Sequence, residues 1–170
     1  MKNKQHKQQI RIIGGTHRRR LVHFDEAEGL RPTPDRVREQ VFNWLGQRLS
    51  GQKVLDLFGG SGVMAMEAAS RGAEKVDVVE LNRQTVQKIR AVINELKFGQ
   101  VTVYQQDATA YLQAASEVYD VIVLDPPYRW QEWYGLWEVL RLHCHAETVL
   151  YIEAAQLPQL PEWLQWNKQD

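Results

Sequence analysis

The chain has 170 residues, of which 44% are hydrophobic and 25% charged, and its formal net charge is zero. That length suits one domain with a sizeable core and is short for two, and the composition is that of a globular protein, not of a fibrous or disordered chain. No apolar run approaches the roughly 20 residues needed to cross a bilayer, the charged N-terminus has no apolar segment behind it and is not a secretory signal, and the single cysteine, Cys144, cannot close an internal disulfide, so the expected compartment is the cytoplasm.

The zero net charge hides an asymmetry. Residues 1–24 hold seven Lys/Arg and no Asp or Glu, so the other 146 residues carry a balance of minus seven. A basic arm on an acidic body suits a polyanionic partner, while residues 1–8 alone read as a disordered, solubilising tail. Residues 9–24 predict a hairpin, with Gln9–Ile13 as one strand, Gly14-Gly15 as a turn signal and Leu21–Phe24 as the other strand. A polar loop follows over 25–32. Thr33 is then expected as the N-cap of a helix with Pro34 at its first position, and Val37, Val41, Leu45 and Leu49 recur at helical spacing.

After Gly51 the pattern alternates. Strands are predicted over Val54–Phe58, Lys75–Glu80, Val101–Gln105, Val118–Leu124 and Thr148–Glu153. Helices are predicted over Val63–Arg71, Asn82–Leu96, Ala108–Ala114 and Glu132–His143. Five βα repeats with near-continuous apolar strands imply a parallel α/β sheet of Rossmann-like type, with helices on both faces. The expectation is one domain over 9–170, with the hairpin and loop to residue 32 and the core from 33. Such sheets bind ligands beyond the carboxyl ends of their strands, so the residues just after each strand carry the information.

The first strand runs into Asp56-Leu57-Phe58-Gly59-Gly60-Ser61-Gly62, a glycine turn that lets backbone approach a ligand. It partly fits a dinucleotide fingerprint, with Ala65 in the third position. Against a dinucleotide stands Asp56, whose carboxylate would repel a pyrophosphate. It would welcome S-adenosylmethionine, which has an ammonium, a sulfonium and no phosphate. Glu80 ends the second strand, where an acid can accept from both ribose hydroxyls of an adenosine. Asp107 follows the third strand and is placed to meet an adenine amine, to cap the next helix, or both. The candidate cofactor contacts are Asp56, Phe58, Gly59, Gly60, Ser61, Gly62, Glu80, Leu81, Asp107 and Ala108.

The fourth strand ends in Asp125-Pro126-Pro127-Tyr128, the most specific motif in the chain. Two prolines restrict the backbone and donate no N–H, leaving the Asp125 carboxylate and the Pro126 carbonyl as paired acceptors. An exocyclic amine has two hydrogens to give and a lone pair delocalised into its ring. Holding both hydrogens favours the pyramidal nitrogen and turns the lone pair toward a methyl donor. Tyr128 offers a flat face for the base. Asp125, Pro126, Pro127 and Tyr128 are therefore the catalytic candidates.

The order Asp56-x-Phe58-x-Gly60-x-Gly62, Glu80, Asp107 and Asp125-Pro126-Pro127-Tyr128 resembles class I amino-methyltransferases. Arg11-Ile12-Ile13-Gly14-Gly15 and the block from Gly29-Leu30-Arg31-Pro32-Thr33 to Arg38-Glu39 resemble the bacterial RsmD family over about residues 10–170. That resemblance implies S-adenosylmethionine-dependent methylation of guanine N2 in small-subunit (16S) ribosomal RNA, free or in an assembling subunit. It places Arg31-Pro32-Thr33 near the methionine end of the cofactor, and so adds Thr33 to the cofactor set. It places the hairpin on RNA, with Arg11, Arg18, Arg19, Arg20, Arg31 and Arg36 as RNA contacts. It also implies two closing antiparallel strands. Leu164–Lys168 reads as the start of the first, and the second, which would insert beside the fifth strand, has no counterpart before Asp170. The expectation is a monomer with an exposed apolar edge and a tendency to self-associate.

Three rivals define what else the pattern could serve. A DNA adenine-N6 or cytosine-N4 methyltransferase uses similar acceptor logic but usually carries a target-recognition domain. A glutamine-N5 methyltransferase typically has Asn at the position of Asp125. An RNA-binding relic would bind cofactor without transferring methyl. Trp130, Trp133 and Trp137 share a helical face and read as core or pocket wall. His143-Cys144-His145 reads as the end of a helix and is too tightly spaced for a structural zinc site, so no metal is expected.

Overall fold

The computed structural model describes residues 7–25 and 32–167. Lys7–Arg11 (β1) and Leu21–Asp25 (β2) pair antiparallel as a hairpin. Its alternation places Ile10, Ile12, Val22 and Phe24 on one buried face, which joins the main core. The hairpin turn rests on the end of a helix, Val63–Ser70 (α2), where Thr16 N–H donates to the Ser70 carbonyl at 2.7 Å. Gly15 has φ +80°, and a Cβ there would fall 1.8 Å from the Ser70 carbonyl oxygen. No side chain fits that approach.

Asp35–Leu45 forms the first helix (α1). Its start corrects the expected cap. Pro34, at ψ 150°, occupies the N-cap and no side chain caps the helix. Thr33 is buried and gives its carbonyl to Arg38 Nη1 at 3.2 Å. The helix also stops early, at Gly46, so Leu49 is buried beyond it and not on its face.

Lys53–Asp56 (β3), Lys75–Glu80 (β4), Val101–Gln105 (β5), Tyr119–Leu124 (β6) and Cys144–Ile152 (β7) form one parallel sheet in the order β5-β4-β3-β6-β7. Helices Arg83–Leu96 (α3), Ala108–Ala114 (α4) and Trp133–Leu140 (α5) join α1 and α2 around it. Alternate residues of one strand feed separate cores. Val54, Val76, Val78, Val121 and Val123 pack under α1, α2, α3 and the hairpin. Leu55, Val79, Ile122 and Leu124 pack under α4 and α5. Burial on both faces is why these strands read as apolar runs and not as alternation.

Several boundaries differ from expectation. β3 ends at Asp56, not Phe58, because the glycine turn begins there, and β6 begins at Tyr119, one residue late. The final predicted helix is α5 followed by a single 3-10 turn, Arg141–His143. His143 closes that turn, as expected of a helix end, while Cys144 and His145 already belong to β7. β7 starts four residues early because Cys144 pairs with Tyr119 before a register shift restores Val121↔Val149. No strand forms at 164–167. That stretch turns through a Leu164 N–H bond to the Pro161 carbonyl and packs Leu160, Trp163 and Leu164 on the second core. β7 is the outer strand among the described residues. No described helix is long and apolar enough to cross a membrane.

One buried ion cluster ties the hairpin to the core. Arg38, in α1, and Glu67, in α2, are both fully buried. Glu67 accepts from Ile13 N–H (3.0 Å), Gly14 N–H (2.9 Å) and Arg71 Nε (3.0 Å). Arg38 Nε stands 3.3 Å from Glu67 Oε2 but off the line for a hydrogen bond, so the attraction there is Coulombic. Its Nη2 donates to the Arg11 carbonyl and to Asp35. A single guanidinium therefore joins β1, α2 and the segment that holds Thr33.

Candidate functional site

The strand order reverses around β3 and β6, which are neighbours in the sheet although far apart in sequence. Parallel sheets open a crevice at such a point, outside the carboxyl ends of their strands. A cavity of about 700 Å³ lies there, within the roughly 300–1,000 Å³ of small-molecule sites. It is lined by Asp56, Phe58, Gly59, Gly60 and Ser61 after β3, and by Glu80 and Leu81 after β4. Asp107 and Ala108 follow β5, Asp125-Pro126-Pro127-Tyr128 follow β6, and Thr33 closes one side. These fourteen candidates converge on one space. Gly62 does not line it and instead caps α2 with φ +77°.

The turn after β3 is built around close approach. A Cβ on Gly59 would meet Val78 Cγ1 at 2.6 Å, and Gly59 N–H donates to the Val79 carbonyl at 2.8 Å. Glu80 braces the same turn. Its Oε1 accepts from Gly60 N–H at 3.2 Å and its Oε2 from Asn82 N–H at 2.9 Å. Each oxygen keeps a second lone pair for a ligand. Asp107 caps α4 by accepting from Ala110 N–H at 3.1 Å and also lines the cavity.

The electrostatics are one-sided. Five carboxylates (Asp56, Glu80, Asp107, Asp125 and Glu153) line the cavity, and no Lys or Arg does so among the described residues. Burial first, and then the charges of Asp125 and Glu80, hold the Asp56 carboxyl well above the carboxylate range, against the opposing Phe58 N–H. Burial and the charge of Glu153 push Asp125 to about 7. A cation in this cavity would relieve that repulsion, and a pyrophosphate would add to it.

Asp125 is half-buried and Pro126 buried. The Pro127 carbonyl is taken by Trp130 N–H at 2.8 Å in a tight turn, whereas none of the described residues donates to the Pro126 carbonyl. Tyr128 sits at the turn tip and is 86% exposed. The inner aromatic wall is Trp130, edge-on to Phe58 at 5.2 Å and to Trp133 at 4.9 Å between ring centres. Trp133 in turn stacks on Trp137 at 5.3 Å.

The basic candidates lie elsewhere. Arg11, Arg18, Arg19 and Arg20 are exposed on the hairpin. The hairpin turn contacts Ser70 at the end of α2 opposite the cavity, about one eight-residue helix, ~12 Å, away. Arg36 faces a second groove between α1 and β7. Arg31 lies outside the described residues. Glu153 was not among the candidates, although it ends β7 as Glu80 ends β4. The same strand-end rule would have found it, since the predicted fifth strand ends at Glu153.

Comparison with known proteins agrees with this architecture. The family described as Conserved hypothetical protein 95 matches residues 10–169. The Ribosomal RNA small subunit methyltransferase D of Escherichia coli (strain K12) is 39% identical over 121 residues, which are 71% of this chain and 61% of that relative. The chain thus spans about three fifths of the curated relatives it first matches. The solved structure of yhhF from Escherichia coli, a methyltransferase by assignment, superimposes with a TM-score of 0.80 at 34% identity over 91% of this chain and 87% of that one. A SAM-dependent methyltransferase from Agrobacterium tumefaciens shares the fold at 22% identity, with a TM-score of 0.64 over 82% of this chain and 50% of that one. With its motifs, its fold and most of its length matched, the chain belongs to the Conserved hypothetical protein 95 family, the RsmD family.

Proposed function

We propose that this chain is a methyltransferase that uses S-adenosylmethionine to methylate the N2 amine of a guanine in small-subunit ribosomal RNA, in the cytoplasm. The observation that carries the reading is the convergence of the Asp125 and Pro126 acceptors on a cavity with five carboxylates and no described cation. The small-subunit name of the Escherichia coli relative supports the RNA substrate. Asp56, Glu80, Asp107 and the Gly59–Ser61 turn would hold the cofactor, whose sulfonium supplies an electrophilic methyl group and departs as a neutral thioether.

The protein's own part is acceptance and alignment. Ionised Asp125 and the Pro126 carbonyl each take one amine hydrogen, which localises the lone pair on nitrogen. As the nitrogen–carbon bond forms, the nitrogen becomes positive, and Asp125 is placed to receive its proton. Charge-assisted bonds of this kind contribute about 1.5–3 kcal/mol each, and alignment adds to that within the roughly 7–11 kcal/mol available from positioning. Trp130 walls the base. Tyr128, projecting at the mouth, stacks on the target or a neighbouring base for about 1–3 kcal/mol. The direct test is transfer of labelled methyl to unmodified small-subunit particles followed by nucleoside analysis. Label in N2-methylguanosine supports the reading, and label elsewhere or none refutes it.

Two further outcomes follow from the same reading. Glu80→Ala should weaken S-adenosylmethionine binding by about 1.5–3 kcal/mol, since ribose hydroxyls lose an ionised acceptor. Unchanged affinity by calorimetry would leave Glu80 as a brace of the glycine turn and no more. Replacing Arg18, Arg19 and Arg20 together by Ala should weaken RNA binding and flatten its salt dependence, by about 0.7–0.9 in log–log slope per lost phosphate contact. Cofactor affinity should hold, because the triplet sits a helix length from the cavity. An unaltered salt slope would show that these arginines touch no phosphate.

A further inference from the structure

Glu153 has no part in the chemistry described above, yet its backbone sits beside that of Asp125. Leu124 and Ile152 are partners in the β6–β7 register, and Glu153 N–H donates to the Leu124 carbonyl at 2.9 Å. Asp125 and Glu153 are thus the next residues of two adjacent parallel strands, roughly 4.8 Å apart across the sheet. Both line the cavity. Glu153 is also oriented: its Oε2 accepts from the Tyr151 hydroxyl at 3.1 Å, and none of the described residues donates to its Oε1.

Two adjacent carboxylates select for a particular pattern on a nucleobase. A carboxylate only accepts hydrogen bonds. On its Watson–Crick edge guanine presents two neighbouring donors, the N2 amine and N1–H. Adenine and cytosine present an amine beside a ring nitrogen that accepts. An acceptor next to the amine site therefore matches guanine and opposes the other two. Two like charges stand side by side there, which is why Glu153 raises the Asp125 carboxyl. A base edge with two donors relieves that repulsion, and an edge with one acceptor leaves it in place.

We infer that Glu153 reads the N1–H of the target base and so makes the site selective for guanine over other bases bearing an exocyclic amine. This rests on the guanine-N2 reading above and deepens it. Asp125 holds the reacting amine, and Glu153 decides which base may bring one.

The test compares guanine with 2-aminopurine, which keeps the amine but has an acceptor at N1. Small-subunit RNA is assembled with either base at the position that wild-type enzyme methylates. Wild type should prefer guanine by about 10²-fold or more in kcat/KM, as sites built around a hydrogen bond do. Glu153→Gln should lower that preference by about 10²-fold, since Tyr151 donates to the amide oxygen and leaves the NH₂ for the N1 acceptor. At a pH above the Asp125 midpoint, where loss of the Glu153 charge no longer alters its ionisation, Glu153→Ala should slow guanine and leave 2-aminopurine unchanged. Because 2-aminopurine also lacks O6, the informative quantity is the change in ratio between enzymes. If both variants slow the two substrates equally, Glu153 acts through Asp125 or through folding, and the inference is overturned. Wild type that accepts both bases alike overturns it too. Failure of wild type to place any label on guanine N2 refutes the underlying reading, and nucleoside analysis shows this before a variant is made.

Discussion

Asp125→Ala is expected to slow methyl transfer by roughly 10²–10⁴-fold, the range for a positioned acid–base group, while S-adenosylmethionine affinity changes little. Asp125 follows β6 and Glu80 ends β4, and both line the cavity; the proposed function gives the first to the amine and the second to the ribose. The wild-type pH profile carries the same signature. Asp125 can receive the proton of the amine only when ionised, and burial with the Glu153 charge pushes it to about 7. The rate should therefore rise with pH through neutrality and level off above it. Positive charge bound in the cavity moves the midpoint lower. Single-turnover rates across pH for both enzymes provide the check. An alanine variant with near-full turnover removes Asp125 from the chemistry, and a wild-type rate that falls with rising pH contradicts its role as an acceptor.

Glu67→Ala should be the most damaging single change to the fold outside the cavity. It leaves the Ile13 and Gly14 N–H groups and the buried guanidiniums of Arg38 and Arg71 without their shared carboxylate. Removing one partner from a buried ion pair costs about 3–5 kcal/mol. For a chain of this size that is a fall in Tm of roughly 6–20 °C, at about 2–4 °C per kcal/mol. Pairing it with Arg38→Met should restore only part of the loss, because the two backbone donors stay unsatisfied. A thermal midpoint within a degree of wild type would mean water replaces the carboxylate and the cluster is not buried in solution.

What the sequence made legible follows from which signals are local. β4 and α4 fall on their predicted bounds because burial on both faces, or a capping Asp107, marks their ends directly, and β5 does so because its buried Val101 and Val103 lie between Gly99 and Asp107. The cavity-lining turns were legible because a parallel sheet brings strand ends together whatever the intervening loops do. β7 was misjudged because its early start depends on pairing with Tyr119, a partner 25 residues away. Pro34 was placed one step too far into α1, since only its ψ separates an N-cap from a first turn. Arg38 and Glu67 read as ordinary charges on helices. Their burial is a tertiary fact, although Glu67 and Arg71 at i, i+4 were visible as a pair. Glu153 stood at the end of the predicted fifth strand and escaped because no recognised motif follows that strand, as the glycine turn and Asp-Pro-Pro-Tyr follow others.

The hairpin is made first and completed late. Ile13 takes its carboxylate partner 54 residues downstream, and His17 Nε2 meets the Leu96 carbonyl 79 residues downstream. At about 5–20 residues per second of synthesis, the strand pair is made seconds before either partner exists. An isolated two-stranded hairpin is marginal in water, so the apolar face of Ile10, Ile12, Val22 and Phe24 stays uncovered through that interval. The basic arm thus spends its first moments as an unfinished segment beside the ribosome that makes it.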